Sequence, residues 1–310
     1  MIATTLGDRK PEGTSPDDKH ALAEALLRAE AEGGLVEPPA GGVDLTMDEA
    51  YEIGARIART RLRRGWRFGG WKVGFTNREI WSRWGLDRPM VAPVYHETVF
   101  MAESHDYGRF RETAIAVPAG RRAALRIEVE VVFGFDGVTR AAEVAAVPNW
   151  VALGAELVDC HYPDWDLHPA RGVADFGLHA GLVVGPRVAP VSRRMLRALD
   201  GVAASLSAGG ERLAEGNGSA VLGGPANVLA ELRGSLADRV AAYGVTGPDA
   251  PCETESAGRT HVAPVAAGAS AGSRRYLVST GTLTPLVEAR IGTTYEVAVD
   301  LLPSFSFVLV

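Results

Sequence analysis

Two stretches near the start of the chain carry apolar residues at helical spacing. Ser15-Pro16-Asp17-Asp18 sets a capping side chain, a proline at the first helical position and two acids in the first turn, predicting a helix that ends near Gly33. Thr46-Met47-Asp48-Glu49 has the spacing of a capping box, and Ile53, Ile57 and Leu62 continue it on one face. From Gly69 onward the pattern shortens into runs rich in Val, Phe and Tyr, broken by Gly and Pro, which predicts strands. These are GGWKVGF, PVYHETVF, ALRIEVEVVFGF, WVALGAELVDC, LHAGLVVG, RYLVSTGTL, YEVAVDLL and SFSFVLV. Further helices are predicted at 141–147, 192–199 and 225–243, the last with Val228, Leu229, Leu232, Leu236 and Val240 on one face.

Strands and helices do not alternate as they do in a doubly wound parallel sheet, so the pattern reads as α+β. The expected organisation is a flexible tail (1–14), a helical region (15–65) and a mostly β body (66–310). Residues 245–275, aperiodic and rich in Gly, Ala, Pro and Ser, read as a surface insertion in that body.

Composition narrows the function classes. A chain of 310 residues with 46% hydrophobic content can bury a large core, and a net charge of −6 offers no general basic field for nucleic acid. Two cysteines, Cys160 and Cys252, build neither a disulfide scaffold nor a CxxC site. No apolar run is long enough to cross a bilayer, and the N-terminus lacks the pattern of a secretion signal, so a cytoplasmic protein with no membrane partner is expected. The 32 basic residues comprise 29 arginines and 3 lysines, which singles out Lys72 between glycines in an apolar segment.

The chemistry concentrates in acidic residues on strands. In RIEVEVVF, period-two alternation puts Ile127, Val129, Val131 and Phe133 on one face and Glu128 and Glu130 on the other. Two adjacent carboxylates mark either a solvated outer face or oxygen ligands of a cation. Glu156 stands in the apolar run WVALGAELV, where a carboxylate is costly unless paired, protonated or metal-bound. Three glutamates on two strands match an all-oxygen Mg²⁺ or Mn²⁺ site with open positions for water and a chelating substrate.

GWKVGFTN, LDRP, RIEVEVVFGF, GAELVD, VADFGLHAGLVVG, GNGSAVLGGPANVLAEL and STGTLTP follow one another in an order and spacing that resemble the 2-keto-4-pentenoate hydratase and 4-oxalocrotonate decarboxylase branch of the fumarylacetoacetate hydrolase superfamily. The resemblance covers about residues 66–310 apart from the insertion. It implies a mixed β-roll with outer helices, a homo-oligomer, and a divalent metal on Glu128, Glu130 and Glu156. It also implies that Lys72 holds substrate charge, that Asp87 of LDRP lies near the substrate, where it or His179 moves a proton, and that Asp175, Thr282 and Thr284 belong to the substrate-binding wall. Phe176 and His179 replace the Asn and Ser frequent in relatives; His179 reads either as a proton shuttle or as a hydrogen-bonded core histidine.

The reaction expected from this set is that of a lyase on a small 2-oxo acid, in which a chelated cation stabilises an enolate. Hydration of a 2-hydroxydienoate leads; decarboxylation and C–C hydrolysis use the same electron sink. A non-catalytic scaffold keeping the fold is the reading from another class. A phosphate-binding module is disfavoured, because GNGSAVLGG lacks the spacing and Lys-Ser/Thr ending of a P-loop.

Overall fold

A computed structural model describes residues 14–37, 45–102, 113–116, 125–137, 147–165, 168–245 and 275–310. In chain order its elements are α1 (Pro16–Glu32), α2 (Met47–Arg63), β1 (Phe68–Gly74), α3 (Trp81–Trp84), β2 (Met90–Tyr95), β3 (Val99–Met101) and β4 (Thr113–Ile115). There follow β5 (Arg126–Asp136), β6 (Trp150–Val158), α4 (Pro169–Ala174), β7 (His179–Val184), α5 (Arg193–Ala198), β8 (Ala203–Ala208) and β9 (Glu211–Asn217). The chain closes with α6 (Asn227–Arg233), α7 (Ala237–Ala242), β10 (Arg275–Thr282), β11 (Val287–Glu288), β12 (Thr294–Val299) and β13 (Leu302–Leu309). The tail apart from Thr14, the helix expected at 141–147 and the body of the insertion lie outside the described residues.

Both N-terminal helices start as their caps dictate. The Ser15 hydroxyl accepts from Asp18 N, and Thr46 and Glu49 form the reciprocal capping box. The larger sheet runs β2-β1-β10-β5-β6-β7-β3 with β11 added beside β5, and the smaller runs β4-β13-β12-β8-β9. Pairs β1–β10, β3–β7 and β4–β13 are parallel and the rest antiparallel, a mixed α+β architecture as expected. Strand β6 packs against β12 and β13, so the outer face of the larger sheet meets the smaller one. Ile127, Val129, Val131 and Phe133 join one core with Val297, Phe305 and Phe307, and with Leu26, Ile53 and Ile57 of the helices. The N-terminal helices thus share the core of the β body: the buried Arg61 pairs with Glu30 and stacks 4.2 Å from the Phe176 ring.

Three expectations are corrected. The 225–243 helix is two short ones, because the chain turns at Gly234, yet Val228, Leu229, Leu232 and Leu236 all stay buried. PVYHETVF divides into β2 and β3 around a single helical turn at 96–98. The β8–β9 hairpin went unpredicted because its strands are rich in Ala, Ser and Glu; its signal was the Gly209-Gly210 pair, whose φ values of 58° and 81° suit a tight hairpin turn.

Candidate metal and active site

The inner face of the larger sheet gathers charge from neighbouring strands. The β5–β6 ladder is unbroken from Arg126↔Val158 to Gly134↔Trp150, which sets Glu128 directly opposite Glu156 and Glu130 opposite Gly154. One carboxylate oxygen from each glutamate lies within 4.8 Å of the others. Glu130 and Glu156 are fully buried, whereas Glu128 is half-buried and marks the rim. Three converging carboxylates would repel strongly without a counter-charge.

Each glutamate is held in a different way. Strand β10 bulges between Ser279 and Thr282, and the bulge turns both the Ser279 hydroxyl and the Gly281 N–H (3.1 Å) onto Oε2 of Glu130. Gly281 has φ 95°, and a Cβ there would stand 2.3 Å from Thr76 Oγ1, so only glycine fits the bulge. Glu156 receives Lys72 Nζ from β1 at 2.8 Å on Oε2 and His179 Nδ1 from β7 at 2.7 Å on Oε1. The other ring nitrogen of His179 lies 2.8 Å from Thr98 Oγ1, which in turn lies 2.9 Å from Tyr95 O. Oε1 of Glu130 is buried with no hydrogen-bond partner.

The pKa shifts follow from this arrangement. Burial pushes the Glu128 carboxyl up to about 7, with Glu156 adding to the rise and Lys72 opposing it. Burial, reinforced by Glu156 and Glu128, drives Glu130 well above the usual carboxylate range. For Glu156 burial acts upward as well, but Lys72 and His179 outweigh it and hold the group at about 2. Burial works against the Lys72 ammonium, which the three glutamates nevertheless raise. Burial lowers His179 despite Glu156. Without a cation the cluster favours charge on Glu156, beside Lys72, and disfavours it on the other two carboxyls.

The residues fit a hard divalent ion. The donors are all carboxylate oxygens, they converge, and the unpartnered Oε1 of Glu130 is a buried acceptor that a cation would satisfy.

Not every expected residue is brought here. Asp87 sits in the turn before β2 with its side chain 86% exposed and 3.5 Å from Arg88; the turn of GLDRP carries it out to solvent. Asp175 is buried, and His161 reaches both of its oxygens, through its N–H (2.7 Å) and Nδ1 (2.7 Å). His179 is fully buried with both ring nitrogens engaged, which fits a residue that positions Glu156 better than a proton shuttle. Thr282 is the Cα partner of Glu130, its hydroxyl donates to Thr284 O (2.7 Å), and the buried Thr284 hydroxyl has no partner. Of the groups that sequence reasoning missed, Ser279 and Gly281 lay within STGTLTP, where a glycine inside a strand signals a bulge. Thr98 had no signal.

No family model matches the chain. Among characterised proteins it is 29% identical over 294 residues to the 2-keto-4-pentenoate hydratase of Burkholderia vietnamiensis, covering 92% of this chain and 94% of that one. It is 28% identical over 233 residues to the 4-oxalocrotonate decarboxylase of a Pseudomonas species, covering 72% and 81%. Among solved structures, the 4-oxalocrotonate decarboxylase of Pseudomonas putida, complexed with magnesium and adipate, superposes with a TM-score of 0.71 at 21% identity over 96% of this chain and 100% of that one.

Proposed function

Since the chain is a relative of the 2-keto-4-pentenoate hydratases and 4-oxalocrotonate decarboxylases of the fumarylacetoacetate hydrolase superfamily, we propose that it is a divalent-metal-dependent lyase acting on a small 2-oxo or 2-hydroxydienoic acid, foremost a hydratase. The observation that carries this reading is the convergence of Glu128, Glu130 and Glu156 around the unpartnered Glu130 oxygen, with Lys72 alongside.

In this reading the three glutamates hold Mg²⁺ or Mn²⁺, which when bound supplies Lewis-acid polarisation of a chelating 2-oxo acid. Ser279 and Gly281 orient Glu130. Lys72 and His179 orient Glu156, and Lys72 further stabilises negative charge developing on the substrate oxygen. The Thr284 hydroxyl, buried and unpartnered beside the Thr282 turn, is a free group for a substrate oxygen. Half-buried Glu128 is the side from which substrate enters. Assembly as a homo-oligomer belongs to the same reading and is checked by light scattering. Among the described residues no helix is long and apolar enough to cross a membrane.

The test is an NMR-monitored screen of 2-oxo and 2-hydroxydienoic acids with Mg²⁺ and Mn²⁺. Water addition to the distal alkene supports the hydratase. Release of CO₂ from a vinylogous dicarboxylate supports the decarboxylase, which the Pseudomonas relative favours. Turnover independent of divalent metal, or none on any 2-oxo acid, rejects the reading.

A further inference from the structure

Strands β2 and β3 stand at opposite ends of the strand order of the larger sheet, yet only residues 96–98 separate them in the chain. From Tyr95 to Val99 is four residue steps, at most about 14 Å of extended backbone, so the sheet curls until its two edges come near each other. The single helical turn at 96–98 is the strap across that seam. On its far side β3 pairs with β7, the strand that begins at His179.

Thr98, the last residue of the strap, is buried and sets its hydroxyl 2.8 Å from Nε2 of His179. The other ring nitrogen meets Oε1 of Glu156 at 2.7 Å, and both side chains are wholly enclosed. An ionised carboxylate only accepts, so Nδ1 is the donor of that bond. A hydroxyl both donates and accepts, and Thr98 therefore serves Nε2 while the Nδ1 proton stays with Glu156. A ring held at both nitrogens also keeps its plane. Glu156 is anchored on its other oxygen by Lys72, whose ammonium rides on a flexible four-carbon stem, so the imidazole is the rigid anchor of the two.

Resting on the reading of the three glutamates as metal ligands, we propose that Thr98 is a positioning residue for the cation: through His179 it fixes the orientation of Glu156, and so ties the closure of the sheet to metal binding. Thr98 touches neither the ion nor the substrate. Its hydroxyl is the link between the strap and the ligand.

The experiment compares calorimetric Mg²⁺ titrations of the full chain as wild type, Thr98→Val and Thr98→Ser, together with the melting temperature of each metal-free protein. Thr98→Val keeps the shape and removes the hydroxyl; its Mg²⁺ affinity is expected to fall about tenfold or more, the scale of losing a partner behind a metal ligand. Thr98→Ser keeps the hydroxyl and should bind as wild type does. A Thr98→Val protein that melts lower but binds Mg²⁺ with wild-type affinity makes the hydroxyl a packing contact only and overturns the assignment, as does equal weakening in both variants. If Thr98→Val does not fold, nitrogen-15 spectra of the wild-type histidine rings decide. A proton held on Nδ1 of His179, with a signal that moves on adding Mg²⁺, supports the link; a proton on Nε2 alone, or a signal indifferent to Mg²⁺, overturns it. If wild type binds no Mg²⁺ at all, the metal reading itself falls and takes the Thr98 assignment with it.

Discussion

Two buried carboxylate centres, Glu130 at the inner face of the sheet and Asp175 beside α4, differ in what they are left wanting. Asp175 is fully served within the chain: the backbone and the ring of His161 occupy its two oxygens, and the centre ties the end of α4 to the loop after β6. Glu130 has one oxygen held by Ser279 and Gly281 and the other buried without a partner, amid two further carboxylates. A satisfied buried charge stabilises one conformation; an unsatisfied one is a standing demand for a ligand. The difference distinguishes the two acids more sharply than burial does, since both residues are fully buried.

The largest effect tests that demand directly. Glu130→Ala and Glu156→Ala should each abolish measurable Mg²⁺ binding by calorimetry, because the remaining carboxylates then repel with one ligand missing. Unchanged affinity in both variants would end the metal assignment.

Lys72→Met should retain the fold and Mn²⁺ affinity yet lower turnover by about a hundredfold or more, the scale of one preorganised electrostatic contact. Lys72→Arg should not restore it, since a guanidinium is too broad for a buried site shaped around a point charge. Full activity in the Met variant would make Lys72 a counter-ion for Glu156 and nothing more.

Asp175→Ala should do the reverse. It leaves two buried donors of His161 unpaired, a loss of about 3 kcal/mol, so the melting temperature falls by several degrees while Mg²⁺ affinity per folded molecule holds. A selective loss of metal binding would join the two centres and undo the contrast.

The smallest effect is a pH dependence arising from the carboxylates around Glu130. Glu128, raised to about 7 by burial, favours the metal-free fold while protonated; that contribution is complete at acid pH and is lost as pH rises through about 7. Glu156 has the opposite sign: its contribution is present above the usual carboxylate range and lost as pH falls toward about 2. The metal-free protein should therefore melt a few degrees lower at pH 8 than at pH 6. Mg²⁺, which needs deprotonated ligands, should bind more tightly and protect more at pH 8, with release of protons on binding near pH 7. A metal-free melting temperature that is flat or rising over this window would contradict the assignment.

Local chemistry by itself determined a good part of this protein. The caps at Ser15 and Thr46 started the helices where expected, and strand alternation put Glu128 and Glu130 opposite the Ile127–Phe133 stripe, because cap geometry and the two-residue period act within a few residues. Glu156 and Lys72 were legible as a carboxylate and a rare lysine in apolar strands, where the cost of burial demands a reason. Pairing between strands decided the rest. The direct opposition of Glu128 and Glu156, the Ser279–Thr282 bulge that turns two donors onto Glu130, and the reach of His179 from Glu156 to Thr98 depend on which strands are neighbours and in what register. Asp87 and Asp175 show the same limit from the other side. Their motifs identified them as acids of interest, but one turn carried Asp87 into solvent and the fold set Asp175 against His161, because contacts between distant segments are set by the packing of the whole sheet and not by the residues on either side.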